Sequence, residues 1–298
     1  MGVFTPNSTN IGMAEALRAL GHEVIALDYR AAMRKFYPDG IRGFLSEATK
    51  EVDVTVLCKG FAGGQPPIEP EWVADWHGTT CYWFPDTTDI HGILPCRLAA
   101  ACTYQCATSL VSCRAFENAG CKNVSQVFEG FDPGVFKPYP VERKRGVVFA
   151  GSVDFHRQSV IDALECSGIP VERVAAWGAD LARVYSEAKI VLNVTRGEIF
   201  GDRVVQTMAC GAMCLSEGCA DLATAFELGA EWGTWGPWHT IPVAARYWLE
   251  RDAERVKMAE QAHKAVQRFT WNNQMQKLVA VLKGDQILDG AFLGRDHG

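Results

Sequence analysis

The chain has no apolar run near the roughly 20 residues that a membrane-spanning helix needs, so no transmembrane segment is expected in its 298 residues. Its first residues, MGVFTPNSTN, carry no basic stretch ahead of an apolar one, and no secretory leader is read there. Positive charge is not in excess: 29 Lys and Arg stand against 35 Asp and Glu, a formal net charge of −6, and the sequence pI is about 5.7. That excludes a nucleic-acid binder basic over its whole surface, though not a local patch. The eleven cysteines include no Cys-x-x-Cys pair. Cys102 and Cys106, and Cys210 and Cys214, are loosely spaced inside apolar segments. That fits buried, reduced thiols rather than zinc ligands or a disulfide framework. Repeats and low-complexity tracts are absent too. A soluble protein of a reducing, cytoplasmic setting is expected, and a chain that is 48% hydrophobic can bury two ordinary domain cores.

What is present is concentrated in Ala188–Ser216, AKIVLNVTRGEIFGDRVVQTMACGAMCLS. Ile190, Val191 and Leu192 form a short run of strand type. A polar turn from Asn193 to Asp202 follows and holds Arg196, Glu198 and two glycines. Val204, Val205, Met208 and Ala209 then recur at helical spacing, Gly211 is a stop signal, and Met213–Leu215 reads as the next strand. This is one strand–helix–strand step with a charged loop at the helix N-terminus. The N–H groups of a first helical turn lack partners within the helix and carry partial positive charge, which suits a phosphate. Arg203, at the start of the helix, adds a guanidinium fork.

The same stretch resembles the donor-site motif of GT-B glycosyltransferases, in the group 1 and CgeB-like types. The resemblance rests on Glu198, Phe200-Gly201 and Met208-Ala209-Cys210-Gly211, with an arginine at 203 as in CgeB-like sequences. The second glutamate of that motif is replaced by Gln206, a neutral amide that can still hydrogen-bond a diol. The resemblance implies an α/β fold of two Rossmann-like domains facing a cleft, with a C-terminal helix crossing back to the first. It assigns the donor loop Glu198, Gly201, Asp202, Arg203 and Gln206 to a nucleotide sugar. Arg203 would meet the diphosphate, and Glu198 and Gln206 the sugar or ribose hydroxyls.

Along the rest of the chain the resemblance runs from about Phe84 to Trp271. Ahead of it only rhythm supports the fold. Met1–Phe4 and Val24–Leu27 read as strands around a helix, Ile11–Leu20, with Asp28 after the second strand. No Gly-rich fingerprint follows the first strand, which argues against a dinucleotide. The loop Asn7, Ser8, Thr9 and Asn10 falls where GT-B enzymes face acceptor and sugar; read from its residues alone it is equally a solvated loop. Val52–Leu57 and Thr79–Phe84 are strands, Glu69–His77 a short helix. Past Phe84 stand Asp86, Asp89 and His91, at the strand end where α/β sheets hold ligands. Asp86, then His91, is the candidate base for an acceptor hydroxyl; helix capping by Asp86 and Asp89 is the alternative. A strand at Ala99–Tyr104, a helix at Thr108–Ala119 and a strand at Val124–Phe128 follow.

Gly130-Phe131-Asp132-Pro133 through Phe136-Lys137-Pro138 resembles the GT-B interdomain linker. The first domain is therefore set at 1–138 and the donor domain at 146–268. Residues 269–284 are expected to cross back as a helix, with a flexible tail at 285–298. In the second domain, Gly151, Ser152 and Arg157 match a Gly-Ser…Arg junction that approaches the donor diphosphate. His156 beside them is read as exposed. Trp177 falls where the nucleobase sits in GT-B enzymes; its indole would stack on a base or pack, and packing is preferred.

The implied reaction is metal-independent glycosyl transfer from a nucleoside-diphosphate sugar, UDP-linked by expectation, to a hydroxyl. Asp86, His91, Arg203 and Glu198 are its candidate catalytic residues. No Asp-x-Asp signature, no metal and no cofactor beyond the co-substrate are read, and a monomer or weak dimer is expected. Retention and inversion both stay open. So do the acceptors: a surface polysaccharide, a protein, a small molecule, or a hydroxymethylpyrimidine in phage DNA, for which Arg30, Arg34, Lys35 and Arg42 offer a small cationic face. The alternatives are an inactive nucleotide-sugar binding protein and a sugar-nucleotide epimerase.

Overall fold

Apolar residues run almost unbroken through Thr79–Phe84, Arg145–Ala150 and Ala188–Asn193, a pattern that fits parallel strands covered on both faces. In the computed structural model, which describes residues 1–5, 8–61, 64–195 and 201–284, these blocks belong to two separate parallel sheets. The chain divides into two units, Gly130–Thr270 and a discontinuous one made of Met1–Glu129 with the segment from Trp271 onward.

The discontinuous unit starts with α1 (Thr9–Ala19), α2 (Tyr29–Phe36) and α3 (Ile41–Thr49). It continues through β1 (Val54–Cys58), α4 (Pro70–Val73), β2 (Thr79–Phe84), α5 (Thr88–His91) and α6 (Leu94–Ala101). β3 (Tyr104–Ala107), α7 (Leu110–Asn118) and β4 (Val124–Gln126) complete the sheet, in the order β1-β2-β3-β4. Because side chains alternate along a strand, β2 feeds two cores. Tyr82 and Phe84 join Met33, Ile41, Leu57 and Phe116 on one face. Cys81 and Trp83 join Met13 and Cys106 on the other.

Three sequence readings are corrected here. Val24–Leu27 and Met1–Phe4 are not strands. Between them a single bridge forms, at Gly2 and Asp28, with the Gly2 N–H donating to the Leu27 carbonyl at 3.1 Å, and on its other side the first segment is tied to β1, with the Cys58 N–H donating to the Met1 carbonyl at 2.8 Å. Ile25 is left exposed. Asp28 does not end a strand but caps α2, accepting from the Arg30 N–H at 2.9 Å. Ala99–Ala101 is the last turn of α6, and the strand starts only at Tyr104. An alanine run read as strand is a helix here, in keeping with alanine's high helix propensity.

The second unit runs β5 (Arg145–Ala150), α8 (Phe155–Cys166), β6 (Val171–Val174), α9 (Gly178–Glu187), β7 (Ala188–Asn193), α10 (Asp202–Ala209) and β8 (Met213–Glu217). It closes with α11 (Ala220–Ala225), β9 (Gly233–Trp235), α12 (Ile241–Glu250) and α13 (Asp252–Val266). Its sheet order, β6-β5-β7-β8-β9, places β5 between its two sequence successors β6 and β7. That makes a topological switch point between β5 and β7, where open α/β sheets bind ligands at the carboxyl ends of the strands. β9 had no strand signal, since it lies in a stretch of tryptophan and glycine.

The final helix, α14 (Trp271–Leu282), belongs to the first unit. Trp271, Met275, Leu278 and Val281 enter the core beside Trp83, and Gln274 accepts from the Phe128 N–H at 3.1 Å. Gly12 of α1 has to be glycine, because a Cβ there would stand 2.4 Å from the Trp271 indole nitrogen. The tail expected at 285–298 lies outside the described residues. No helix among those residues is long and apolar enough to cross a membrane.

Candidate donor site at the second sheet

Arg203, in the first turn of α10, reaches back to the switch point. Its Nε donates to the Ala150 carbonyl at 2.8 Å and its Nη1 to Asn193 Oδ1 at 3.0 Å, so it joins the ends of β5 and β7. Its guanidinium lies over the Phe149 ring, 5.0 Å from the centroid. Asn193 is fixed in turn by its own Nδ2, which donates to Ser216 Oγ at 2.8 Å. A guanidinium carries five N–H donors. Those of Arg203 not spent on Ala150 and Asn193 have no partner among the described residues. α10 opens at Gly201 with no side-chain cap, and the Val204 N–H turns back to the Gly201 carbonyl at 3.1 Å. The Cys214 thiol behind Arg203 is inert, since burial pushes it up to about 12, against the pull of the guanidinium.

Gly151 supplies the room for this arrangement. Its φ is +130°, and a Cβ would come within 2.5 Å of Arg203 Nη2. Gly151→Ala is therefore expected to displace the guanidinium while leaving the buried core untouched. A misplacement of about 1 Å costs up to about 100-fold in turnover. A kcat near wild type in a folded Gly151→Ala protein would show that Arg203 needs no such room.

The other predicted donor residues sit around this point in different ways. Ser152 is exposed just past β5, and its carbonyl accepts from Arg157 Nη1 at 2.9 Å. Arg157 itself is 8% exposed. Its Nε and Nη2 both donate to the Val194 carbonyl, at 3.2 and 3.1 Å. It thus laces the ends of β5 and β7 together from below. Asp202 and Gln206 face each other one turn apart, with Gln206 Nε2 donating to Asp202 Oδ2 at 3.0 Å. Glu198 lies outside the described residues. Trp177 is 66% exposed at the end of the loop after β6, so the packing role preferred from sequence is overturned.

Sequence reasoning missed Glu217, at the end of β8. It accepts from the Thr195 N–H at 3.2 Å, from Thr195 Oγ1 at 3.1 Å and from His156 Nε2 at 2.9 Å. It holds the last described residue before the donor loop against the first turn of α8. Nothing short of the sheet order brings residues 156, 195 and 217 together.

In the first unit, Asp86 and His91 meet at the carboxyl edge of β1 and β2. His91 Nε2 stands 3.2 Å from Asp86 Oδ2, and the same oxygen takes an ion pair from Lys59. Lys59 was not foreseen. It occupies the left-handed region at φ 63°, where few side chains other than glycine settle, and its carbonyl accepts from Tyr82 Oη at 2.9 Å. Asp86 is not the cap of α5, whose N-cap position is Thr87: the Thr88 N–H is met by Ser112 Oγ at 3.1 Å, and the Asp89 side chain lies outside what the structure describes. The side chains of the N-terminal loop are engaged locally. Thr9 Oγ1 donates to Glu129 at 3.0 Å and Asn10 Nδ2 to the Val3 carbonyl at 3.0 Å. The Ser8 hydroxyl is buried without a partner among the described residues, and Asn7 lies outside them.

Residues 145–280 match the family model described as glycosyl transferase-like. No curated protein shows a significant sequence match. Among solved structures, Anabaena HepE in complex with UDP-glucose superposes with a TM-score of 0.74 at 14% identity, covering 95% of this chain and 98% of that one. Sucrose-phosphate synthase from Thermosynechococcus elongatus gives 0.66 at 12% identity over 94% and 92% of the two chains. A glycosyltransferase from Rickettsia africae gives 0.65 at 10% identity over 97% and 95%. The chain thus has the GT-B fold of these glycosyltransferase structures, and its second half is similar to the glycosyl transferase-like family over residues 145–280.

Proposed function

We propose that the protein transfers a sugar from a UDP-linked donor to an acceptor hydroxyl without a metal. The observation that carries this reading is Arg203, held at the β5–β7 switch point in the first turn of α10 with guanidinium N–H donors to spare. Transfer demands stabilisation of the negative charge that grows on the leaving diphosphate, and preorganised donors of this kind supply it. The solved HepE complex with UDP-glucose supports the choice of nucleotide. The exposed Trp177 offers a face for the base.

On the acceptor side, His91 is the better base of the two candidates. The Asp86 carboxylate is already engaged by Lys59 and by His91, and it orients the imidazole, whose other ring nitrogen can meet an acceptor hydroxyl. His91→Gln should then lower transfer to an acceptor while leaving UDP binding at its wild-type strength. A fall in UDP affinity would move His91 out of that role.

The glutamine at 206, already paired to Asp202, favours a second reading, a protein that binds a nucleotide sugar without turning it over. A panel of nucleotide sugars separates the two. Release of UDP, undiminished by a chelator, is the expected result. Binding with no turnover on any donor would establish the sensor instead. Acceptors to screen are surface polysaccharide, protein, small hydroxylated molecules and hydroxymethylated DNA.

A further inference from the structure

A cavity of about 440 Å³ opens at the other edge of the second sheet, where β7 and β8 begin, away from the candidate donor site. Arg143, Lys189, Arg255 and Lys264 line it, with His263, against a single lining carboxylate, Glu260. Asp252 just outside offsets part of this charge, 2.5 Å from Arg255 Nη2 and 3.9 Å from Lys189 Nζ. Lys264 has no partner among the described residues. Arg143 has no carboxylate partner among them. It donates instead to the carbonyls of Ala188, at 2.8 Å, and of Cys210 and Gly211 at the C-terminus of α10.

Cations crowded into a partly enclosed space repel one another, and burial makes each more costly. Arg143 records both effects: burial, and then the nearby Arg255, hold its guanidinium below the usual arginine range. Arg255 is itself 3% exposed. The ring of His263 is fixed, its Nδ1–H donating to the Ala209 carbonyl at 3.0 Å, which turns Nε2 away from that bond as the atom able to meet a ligand. The volume is in the range of small-molecule sites.

From this arrangement we infer that the cavity is a binding site for a small, multiply charged anion of the phosphate class, distinct from the donor site. The main charge comes from Lys189 and Lys264, whose long stems let them close on the ligand, while Arg143 and Arg255 form a fixed cationic floor.

The test is a titration of the whole protein with inorganic pyrophosphate at low ionic strength, followed through the imidazole proton resonances. The His263 signal is identified as the one missing from His263→Gln. It should move saturably, and Lys189→Ala/Lys264→Ala should weaken the apparent affinity by about tenfold or more with an unchanged melting temperature. Movement confined to other imidazoles, such as His156, would place the anion in the donor site and overturn the proposal. So would equal affinity in the double variant, or a response of His263 to a short DNA oligonucleotide but not to pyrophosphate.

Discussion

Arg203→Ala is expected to abolish UDP-sugar turnover, with a loss of at least about 100-fold, the scale seen when one preorganised donor to a developing negative charge is removed. The effect is large because one side chain does two things. It points N–H groups at the place where charge grows, and it fixes Asn193 and the Ala150 carbonyl, which frame that place. Losing those two hydrogen bonds costs about 1–3 kcal/mol, less than the roughly 5–15 kcal/mol that holds a domain together, so the protein should still melt cooperatively. Arg203→Lys keeps the charge but cannot span both partners, and should recover only part of the rate. UDP binding by calorimetry, with a melting curve as control, decides the matter. Turnover at the wild-type rate in folded Arg203→Ala would remove the diphosphate role from this residue.

Trp83→Ala is expected to cost about 3–5 kcal/mol. Trp83 is fully buried, its indole N–H donates to the Val127 carbonyl at 3.2 Å, and its ring stands edge-on to Trp271 with centroids 6.5 Å apart. The truncation empties a space walled by α1, α14 and the sheet, and leaves a buried carbonyl without its partner. Chemical denaturation of the wild type, Trp83→Phe and Trp83→Ala should rank them in that order of stability. A loss below about 1 kcal/mol in the alanine variant would mean that α14 collapses onto the sheet and refills the gap.

The donor half was legible because its signals are local. The unbroken apolar run at Ile190–Leu192, the helical spacing from Val204 and the glycine at 211 all lie within one strand–helix–strand step, which also places Arg203 at the helix start; Gly151 and Arg157 were singled out by the resemblance alone. Lys59, Asn193 and Glu217 were not legible. Each acts on residues distant in sequence that only strand order makes neighbours, as when Glu217 meets His156 and Thr195. The amino-terminal strands were misread for a related reason. Val24–Leu27 has the composition of a strand, but only its end meets the first segment, at Leu27 and Asp28, and strand propensity yields to such context at a sheet edge. Trp177 was misjudged in the opposite direction, since a tryptophan in a turn gives no sign of whether anything covers it.

The split of the first unit around Gly130–Thr270 has a consequence at the ribosome. Synthesis delivers α1 and the strands of the first sheet early, but α14, which completes the cover of one face, emerges only after the entire second unit has been made. Until Trp271, Met275 and Leu278 arrive, the face bearing Cys81, Trp83 and Cys106 has only α1 to cover it, and what α1 leaves open is an apolar surface of the kind that invites aggregation and chaperone capture. The intervening unit is continuous in sequence and holds its own sheet and core, so every residue it needs is made before the first unit has all of its own.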